Sequence, residues 1–454
     1  MRINKSPWIH QLDHERKSIS LNKDLDTDVA IIGAGIAGIS TAFFTLKYTK
    51  QRVVILDQGR LAHGATGHNA GQVVARFERP LVDIEKEFGF DMTKDAIQAL
   101  NSTWLLIDEM YEDAKLDIVF SKTKGNIGYS NLYQVLRALG DLEMEVRSGI
   151  HQNTFLVSET APFVDSIPRI YKNLYRLVPQ SEILKRMETK DESFHALYSD
   201  DAACMNSALF CQEIALFLLE KYKDRFTLYE ETRVNKIVLK EKHGLLDVEK
   251  HTINASKIIL CTNGFENFDI FNDGGLAIDK NFHHLVGGTV GYMSGYLENI
   301  NKPPTAIAYW TDDYDPTDPK AEYLYLTRRP HEYGDKKHNL VCMGGPEIAL
   351  DDKAEYMRNY DYPDEIPTKI DQFIKKEYDS DPNRKIDYEF TWHGLMGYTP
   401  NRIRLIGAEP KNRVLLYNLG CNGIGIIPSV YGGRRISRIL SGENPNPSIF
   451  DPKG

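Results

Sequence analysis

The sequence predicts an α/β protein of two domains, one of them assembled from separated stretches of the chain. Three observations predict it. A buried strand, a glycine turn, a helix and a second buried strand follow one another in about thirty residues from Thr27. Residues from about 280 to 345 alternate in the manner of sheet. The last seventy residues then return to buried-strand character, followed by glycines and a helix. The expected discontinuous domain takes 1–80, 195–270 and 390–454. A second domain of mostly antiparallel sheet plus helices takes 81–194 and 271–389.

Val29-Ala30-Ile31-Ile32 is an unbroken apolar run, the pattern of a strand buried on both faces. Beyond the glycines, Ile36, Ile39, Ala42, Phe43 and Leu46 recur at helical spacing. Val53-Val54-Ile55-Leu56 is the second buried strand and ends at Asp57. Residues from about 80 to 190 read mainly as helix. From Ser199, SDDAACMNSALFCQEIALFLLEKY reads as a turn leading into an amphipathic helix. TRVNKIVLKEKHGLLDVEK alternates as a hairpin, and SKIILCTNG is a buried strand ending in a turn. GGTVGYMSGY, EYLYLTRR and NLVCMGG alternate as sheet. The segment 350–385 is acidic and tyrosine-rich, and is expected on the surface. VLLYNLG is the last buried strand, before glycines and the helix through GGRRISRILSG.

Bulk properties narrow the function classes. A chain of 454 residues suggests two to three domains. A formal net charge of −9 argues against a nucleic-acid partner, which calls for a basic stripe, and against adhesion to an anionic membrane. No stretch approaches the roughly 18 uninterrupted apolar residues of a transmembrane helix. The polar N-terminus lacks the apolar core of a secretory signal, and a cytoplasmic location follows as the default. Cys204, Cys211, Cys261, Cys342 and Cys421 are too scattered for a disulfide framework or a CxxC metal site. No metal cluster and no Ser-His-Asp or Cys-His nucleophile set is recognisable, and His283-His284 reads as a strand-end surface pair.

Gly33-Ala34-Gly35-Ile36-Ala37-Gly38 fits GxGxxG. Gly33 permits the tight turn, and Gly35 lets backbone approach a pyrophosphate. Gly38 lets helix pack on strand, and the helix N-terminus offers its amides and positive dipole end to phosphates. Asp57, followed by Gln58, stands nineteen residues beyond Gly38, where a carboxylate accepts hydrogen bonds from an adenosine ribose. GxGxxG alone is a weak signal. Here strand, glycines, apolar helix, second strand and terminal acid agree on a Rossmann-like dinucleotide site, which by itself leaves NAD and FAD both open.

Later segments separate the two cofactors. Gly64-Ala65-Thr66-Gly67-His68-Asn69-Ala70-Gly71-Gln72 is rich in small residues, as if a flat ring passed close to the backbone. Near the other end come Trp392-His393-Gly394-Leu395-Met396-Gly397-Tyr398-Thr399-Pro400 and Leu419-Gly420-Cys421-Asn422-Gly423-Ile424-Gly425-Ile426. Together these features resemble the D-amino-acid oxidase-like family of FAD-dependent oxidoreductases, which includes glycine, sarcosine and γ-glutamylputrescine oxidases. The leading SPW and the approach to DVAIIGAG look most like the γ-glutamylputrescine branch. The resemblance covers both ends closely and the middle loosely.

The resemblance implies roles. Thr66, His68, Asn69, Ala70, Gly71 and Gln72 line the flavin and its ribityl chain. Val234 clasps the adenine, and Thr262-Asn263-Gly264 closes the strand that meets the dinucleotide. Gly397, Asn422, Gly423, Ile424, Gly425 and Ile426 border the flavin ring, with the following helix directed at the pyrimidine. Asp57 departs from the family's usual Glu. The stretch before Thr399-Pro400 lacks the cysteine that holds flavin covalently in some sarcosine-oxidase relatives, so FAD is expected to bind non-covalently. Cys421 is then a small residue beneath the ring.

The implied reaction is oxidation of a C–N bond in a small-molecule amine or amino acid, by hydride transfer to the flavin with formation of an imine. Oxygen or a quinone-type acceptor would take the electrons. No catalytic base is identified. Arg328, at the end of the strand EYLYLT, is the candidate for a bidentate pair with a substrate carboxylate. His68 is the candidate for steering a proton. Should neither Arg328 nor Arg329 face the flavin, the pocket suits a simple amine, with Tyr323 and Tyr325 as the residues of interest. A dehydrogenase of C–O bonds and a non-catalytic flavoprotein remain the alternatives.

Overall fold

The computed structural model describes residues 4–453 apart from 266–267, 274, 276, 279–285, 316–320, 322, 352–355, 357–362, 364, 379–382 and 384. The pair His283-His284 lies outside the described residues.

The chain opens with a short helix α1 (Pro7–His10), capped by the Ser6 hydroxyl, and enters β1 (Leu25–Ile32), α2 (Ile36–Tyr48) and β2 (Val53–Leu56). A three-residue strand β3 (Gln72–Val74) precedes α3 (Leu81–Phe88) and the long α4 (Phe90–Ala114). Then come β4 (Phe120–Tyr129), α5 (Leu132–Arg147), β5 (Thr154–Ser158), β6 (Arg176–Val178) and α6 (Gln180–Met187). β7 (Ala196–Met205) leads into α7 (Ser207–Lys221), whose start is capped by the Asn206 side chain. Next are β8 (Phe226–Tyr229), β9 (Val234–Leu239), β10 (Gly244–Val248), β11 (His251–Leu260) and β12 (Asp269–Asn272). β13 (Gly287–Glu298), β14 (Thr305–Trp310), β15 (Leu324–Tyr333) and β16 (Lys336–Ala349) form a run of long strands. The chain closes with α8 (Glu365–Phe373), β17 (Phe390–Tyr398), β18 (Leu405–Ala408), β19 (Leu415–Leu419) and α9 (Ile426–Leu440).

Two sheets carry these elements. In the first, β11, β1, β2 and β8 run parallel, with β19 parallel to the end of β11 and the β9–β10 hairpin antiparallel at its other end. The parallel strands are buried on both faces: all four residues of the apolar β2 are buried, and so are all five of β19, where the buried Asn418 is satisfied by hydrogen bonds to Arg404, Thr41 and the Ser429 carbonyl. The second sheet runs β17-β13-β16-β15-β14-β4-β7-β5-β6 and is antiparallel except at β14–β4 and β5–β6. The expected α/β architecture, with a mostly antiparallel second sheet, is the one found.

The structure differs from the local expectations in several places. Residues 196–205 are a strand of the second sheet, not a turn, and β17 and β3 also belong to that sheet. The acidic pair that reads as a turn is tolerated mid-strand because Arg76 hydrogen-bonds both oxygens of Asp200 while Asp201 points to solvent. The helical region 80–190 is interrupted by β4, β5 and β6. Within 350–385, α8 lies at the surface with Glu365, Thr368, Lys369 and Gln372 exposed, while Ile366, Ile370 and Phe373 are buried against the second sheet. Burial of such side chains contributes about 1.5–3 kcal/mol each.

Helices α2 and α9 cross in close contact beside the first sheet. A Cβ on Gly433 would fall 2.7 Å from the backbone of Ser40 and Thr41, so only glycine lets the two helices approach this far. The N-terminal segment straps the molecule. Lys5 bridges to Thr391 of β17, the Ser6 hydroxyl donates to the Gly67 carbonyl, and the buried Trp8 donates to the Asn69 carbonyl at 2.6 Å. The Trp8 ring meets Trp392 edge-on, with centroids 6.2 Å apart.

Candidate active site

A cavity of about 1630 Å³ runs between the two sheets, and the sequence-predicted residues gather around it. At one end, β1 delivers Gly33 with φ +108°, where a Cβ would lie 2.6 Å from the Cys261 carbonyl oxygen. The α2 N-terminus carries no side-chain cap; Thr66 Oγ1 accepts the Ile36 amide at 3.0 Å instead. A Cβ on Gly38 would fall 1.9 Å from the Gly33 oxygen, so this glycine is what seats the helix on the turn. Asp57, at the end of β2, accepts the Ala34 and Gly59 amides, each at 2.8 Å, and its side chain borders the cavity.

Gly33, Gly35, Ile36, Ala37, Asp57, Gln58, Thr66, His68, Asn69, Ala70, Gln72, Val234 and Thr262-Asn263-Gly264 all line this one space. So do Gly423, Ile424, Gly425 and Ile426, at the turn into α9. Gly423 has φ +79°, and the start of α9 has no side-chain cap and no acid in its first turn. Its amides and positive dipole end are therefore available to a ligand. Four expected residues stand behind the lining. Gly38 seats α2, and Gly71 packs against Trp8 with φ +69°. A Cβ on Gly397 would meet the Asn263 oxygen at 2.1 Å. Asn422 accepts the Thr399 amide at 2.8 Å and fixes the turn.

Arg328 requires correction. It is fully buried away from the cavity, where both terminal nitrogens donate to Glu188 at 2.6 Å, Nε donates to the Pro303 carbonyl and Nη1 to the Tyr378 hydroxyl. Strand periodicity is the reason: Tyr325 of β15 lines the cavity, and a residue three positions on points to the opposite face. Arg329 is buried beneath the Trp8 ring, also outside the lining. His68 lines the cavity and its Nδ1 lies 3.0 Å from the Gly64 carbonyl oxygen.

Beyond the expected residues, the cavity reaches a wall of aromatic rings and acids from β4, α5, β7, β14 and the residue before β15: Tyr129, Asp141, Glu145, Tyr198, Trp310 and Tyr323. Asp141 accepts the Leu81 amide at 2.7 Å, and Glu145 accepts the Tyr198 hydroxyl and the Asn153 amide at 2.9 Å. Burial pushes both carboxyls up to about 7. Burial also raises Glu78, whose Oε1 accepts the Tyr323 hydroxyl at 3.2 Å. Arg404 is largely buried at the cavity wall beside the Gly423 turn and, among the described residues, donates to Asn418 and the Gly420 carbonyl; desolvation lowers it to about 10. The alternation of EYLYLT gave a signal for Tyr323 and Tyr325. The other wall residues come from separate segments whose meeting no local pattern announces. Among the described residues, no group of His, Cys, Asp and Glu is placed to hold a metal ion. No helix among them is long and apolar enough to cross a membrane.

These residues fit FAD. The turn Gly33–Gly38 is packed too tightly for a Cβ at any of its three glycines, Asp57 borders the cavity at the end of β2, and the starts of α2 and α9 face that one cavity. A family model described as FAD dependent oxidoreductase, DAO, matches residues 28–439. OrdL of Haemophilus influenzae, described as an oxidoreductase, is 25% identical over 93% of this chain and 85% of its own length. γ-Glutamylputrescine oxidoreductase of Escherichia coli is 36% identical over 16% of this chain and 17% of its own. YhfW of Bacillus subtilis, described as a Rieske 2Fe-2S iron-sulfur protein, is 21% identical over 64% of this chain, which spans about half (51%) of that relative's length. Among solved structures, glycine oxidase from Geobacillus kaustophilus superposes with a TM-score of 0.66 at 15% identity, over 94% of this chain and 98% of the other. L-Proline dehydrogenase from P. horikoshii gives 0.66 at 13% identity, over 95% and 97%.

Proposed function

The chain belongs to the DAO family of FAD-dependent oxidoreductases, and from that premise we propose that it oxidises a C–N bond of an amine or amino acid in the cavity between its two sheets. One observation carries the reading. A single cavity continues from the Gly33–Gly35 cradle past the Gly423–Ile426 turn to a wall of tyrosines and carboxyls. Bound there, FAD supplies a hydride acceptor, the chemistry that the side chains themselves lack. The α2 amides and the glycine turn hold its pyrophosphate, and Asp57 accepts its ribose hydroxyls. Amides at the start of α9 stabilise negative charge where the ring gathers it. The tyrosine wall orients a small-molecule amine and keeps water from it until an imine has formed and is hydrolysed. Cys421 Sγ is engaged by the Asn263 side chain at 3.5 Å, in keeping with FAD held non-covalently. Oxygen or a quinone-type acceptor completes the cycle.

The experiment is direct. The purified protein is expected to be yellow, to release FAD on heat or acid denaturation, and to be bleached anaerobically by an amine. Flavin that no amine or amino acid bleaches would sink the C–N reading; flavin that precipitates with the chain would sink the non-covalent one.

A further inference from the structure

We propose that the stretch of cavity wall formed by Glu78, Trp310, Tyr314, Tyr323 and Tyr325 is an ammonium subsite that takes the substrate amine from water as a cation. The inference rests on the amine-oxidation reading and adds to it the charge of the substrate and the residues that recognise it.

The placement is specific. All five residues line the cavity. The rings form a continuous surface, with centroids 4.8 Å apart for Trp310–Tyr314, 5.4 Å for Tyr314–Tyr323 and 5.9 Å for Tyr323–Tyr325. Glu78 stands between this surface and the turn into α9: it accepts the Tyr323 hydroxyl, and its Cγ lies 2.8 Å from the position of a Cβ on Gly423. A carboxylate at the edge of electron-rich ring faces is the arrangement that attracts an organic cation. A simple primary amine, with a pKa about that of lysine near 10.4, is such a cation in neutral water.

The charges around Glu78 are of both signs, and Arg402 and Arg76 both act on its carboxyl. Arg76, on the same segment, is held by Asp200 through two hydrogen bonds. Arg402, which follows β17, favours the ionised form of Glu78, the form that attracts a cation, and Glu347 of β16 adds a second negative charge within electrostatic reach of the Tyr314 hydroxyl. The hydroxyls of Tyr314, Tyr323 and Tyr398 that face Glu78 are kept neutral by burial. Neither Arg328 nor Arg329 reaches the cavity to receive a carboxylate.

The test is a titration of the FAD-loaded full chain with tetramethylammonium chloride, which cannot become a free amine, followed by the flavin absorbance. tert-Butyl alcohol, of similar size and uncharged, is the control, with sodium chloride holding ionic strength constant. The cation is expected to bind at least about tenfold tighter than the alcohol. Glu78→Gln is expected to weaken the cation about tenfold and leave the alcohol unchanged. In the Asp141→Asn, Glu145→Gln chain, which removes the two other carboxyls of the wall raised by burial, cation affinity should still rise with pH as the Glu78 carboxyl ionises, a measurement that stands even if Glu78→Gln fails to keep FAD. Equal binding of cation and alcohol, or cation binding indifferent to pH, overturns the subsite. Cation binding in a protein that no amine bleaches leaves the subsite standing and overturns amine oxidation; bleaching by amines without cation binding does the reverse.

Discussion

Arg328 and Glu188 meet on the face of the second sheet turned away from the cavity, with a bidentate hydrogen bond and the guanidinium wholly out of solvent. Removing one partner of such a pair leaves the other charge poorly compensated, at a cost of about 3 kcal/mol here because Glu188 keeps a quarter of its surface in water. Arg328→Ala is therefore expected to lower the melting temperature by several degrees while the KM for the amine stays within about twofold. A large rise in KM with unchanged melting would return Arg328 to the substrate. The strand and its terminal arginines are legible in EYLYLTRRP. The side they face is not, because alternation says only that Tyr325 and Arg328 point opposite ways and leaves open which of them meets the cavity. Glu78 was illegible for a different reason: it follows β3 in a segment with no periodicity, and its partner Tyr323 is remote in sequence.

Two helices show what an element adds to its residues. The glycine turn and apolar spacing of α2 are plain in the sequence, and so is the helical end through GGRRISRILSG. That Gly433 is the point where α9 touches α2 follows only from the packing. On α5, Asp141 and Glu145 are one turn apart on the face that lines the cavity, beside Arg137 and near the Arg76–Asp200 pair. Like charges at this spacing oppose the helix when ionised. Their native pKa values, raised to about 7, mean that the folded state keeps protons that the unfolded chain gives up near 4. Their contribution to stability is complete below about pH 4 and is lost as pH rises through about 7. Asp141→Asn with Glu145→Gln should flatten the fall in urea midpoint between pH 5 and pH 8. An unchanged slope would mean that the two carboxyls titrate normally.

At the scale of the whole molecule, the cavity is where the two sheets meet, so its ligand binds to both. Added FAD should raise the melting temperature by mass action, worth about 2.7 kcal/mol at a hundredfold excess over Kd. Gly35→Val should abolish that response and the yellow colour, since even a Cβ there would lie 2.9 Å from Thr66 Oγ1. Retained FAD in Gly35→Val would misplace the pyrophosphate. The discontinuous domain is readable because each apolar run, 29–32, 53–56, 258–260 and 415–419, announces a strand buried on both faces. Which sheet 196–205 and 390–398 would join is not readable, because that depends on partners such as β13, far along the chain. The strap of Ser6 and Trp8 has a consequence for how the protein is made. A ribosome makes Trp8 and the loop 64–72 more than three hundred residues before Trp392, against which Trp8 packs, and β19 and α9 come later still. Until then the loop is held by Ser207 and Met205 but lacks the Trp392 side of its packing. Colour should therefore arrive only after Trp392 and the turn into α9 have been made, and a nascent chain stalled before Trp392 should remain colourless however much flavin surrounds it.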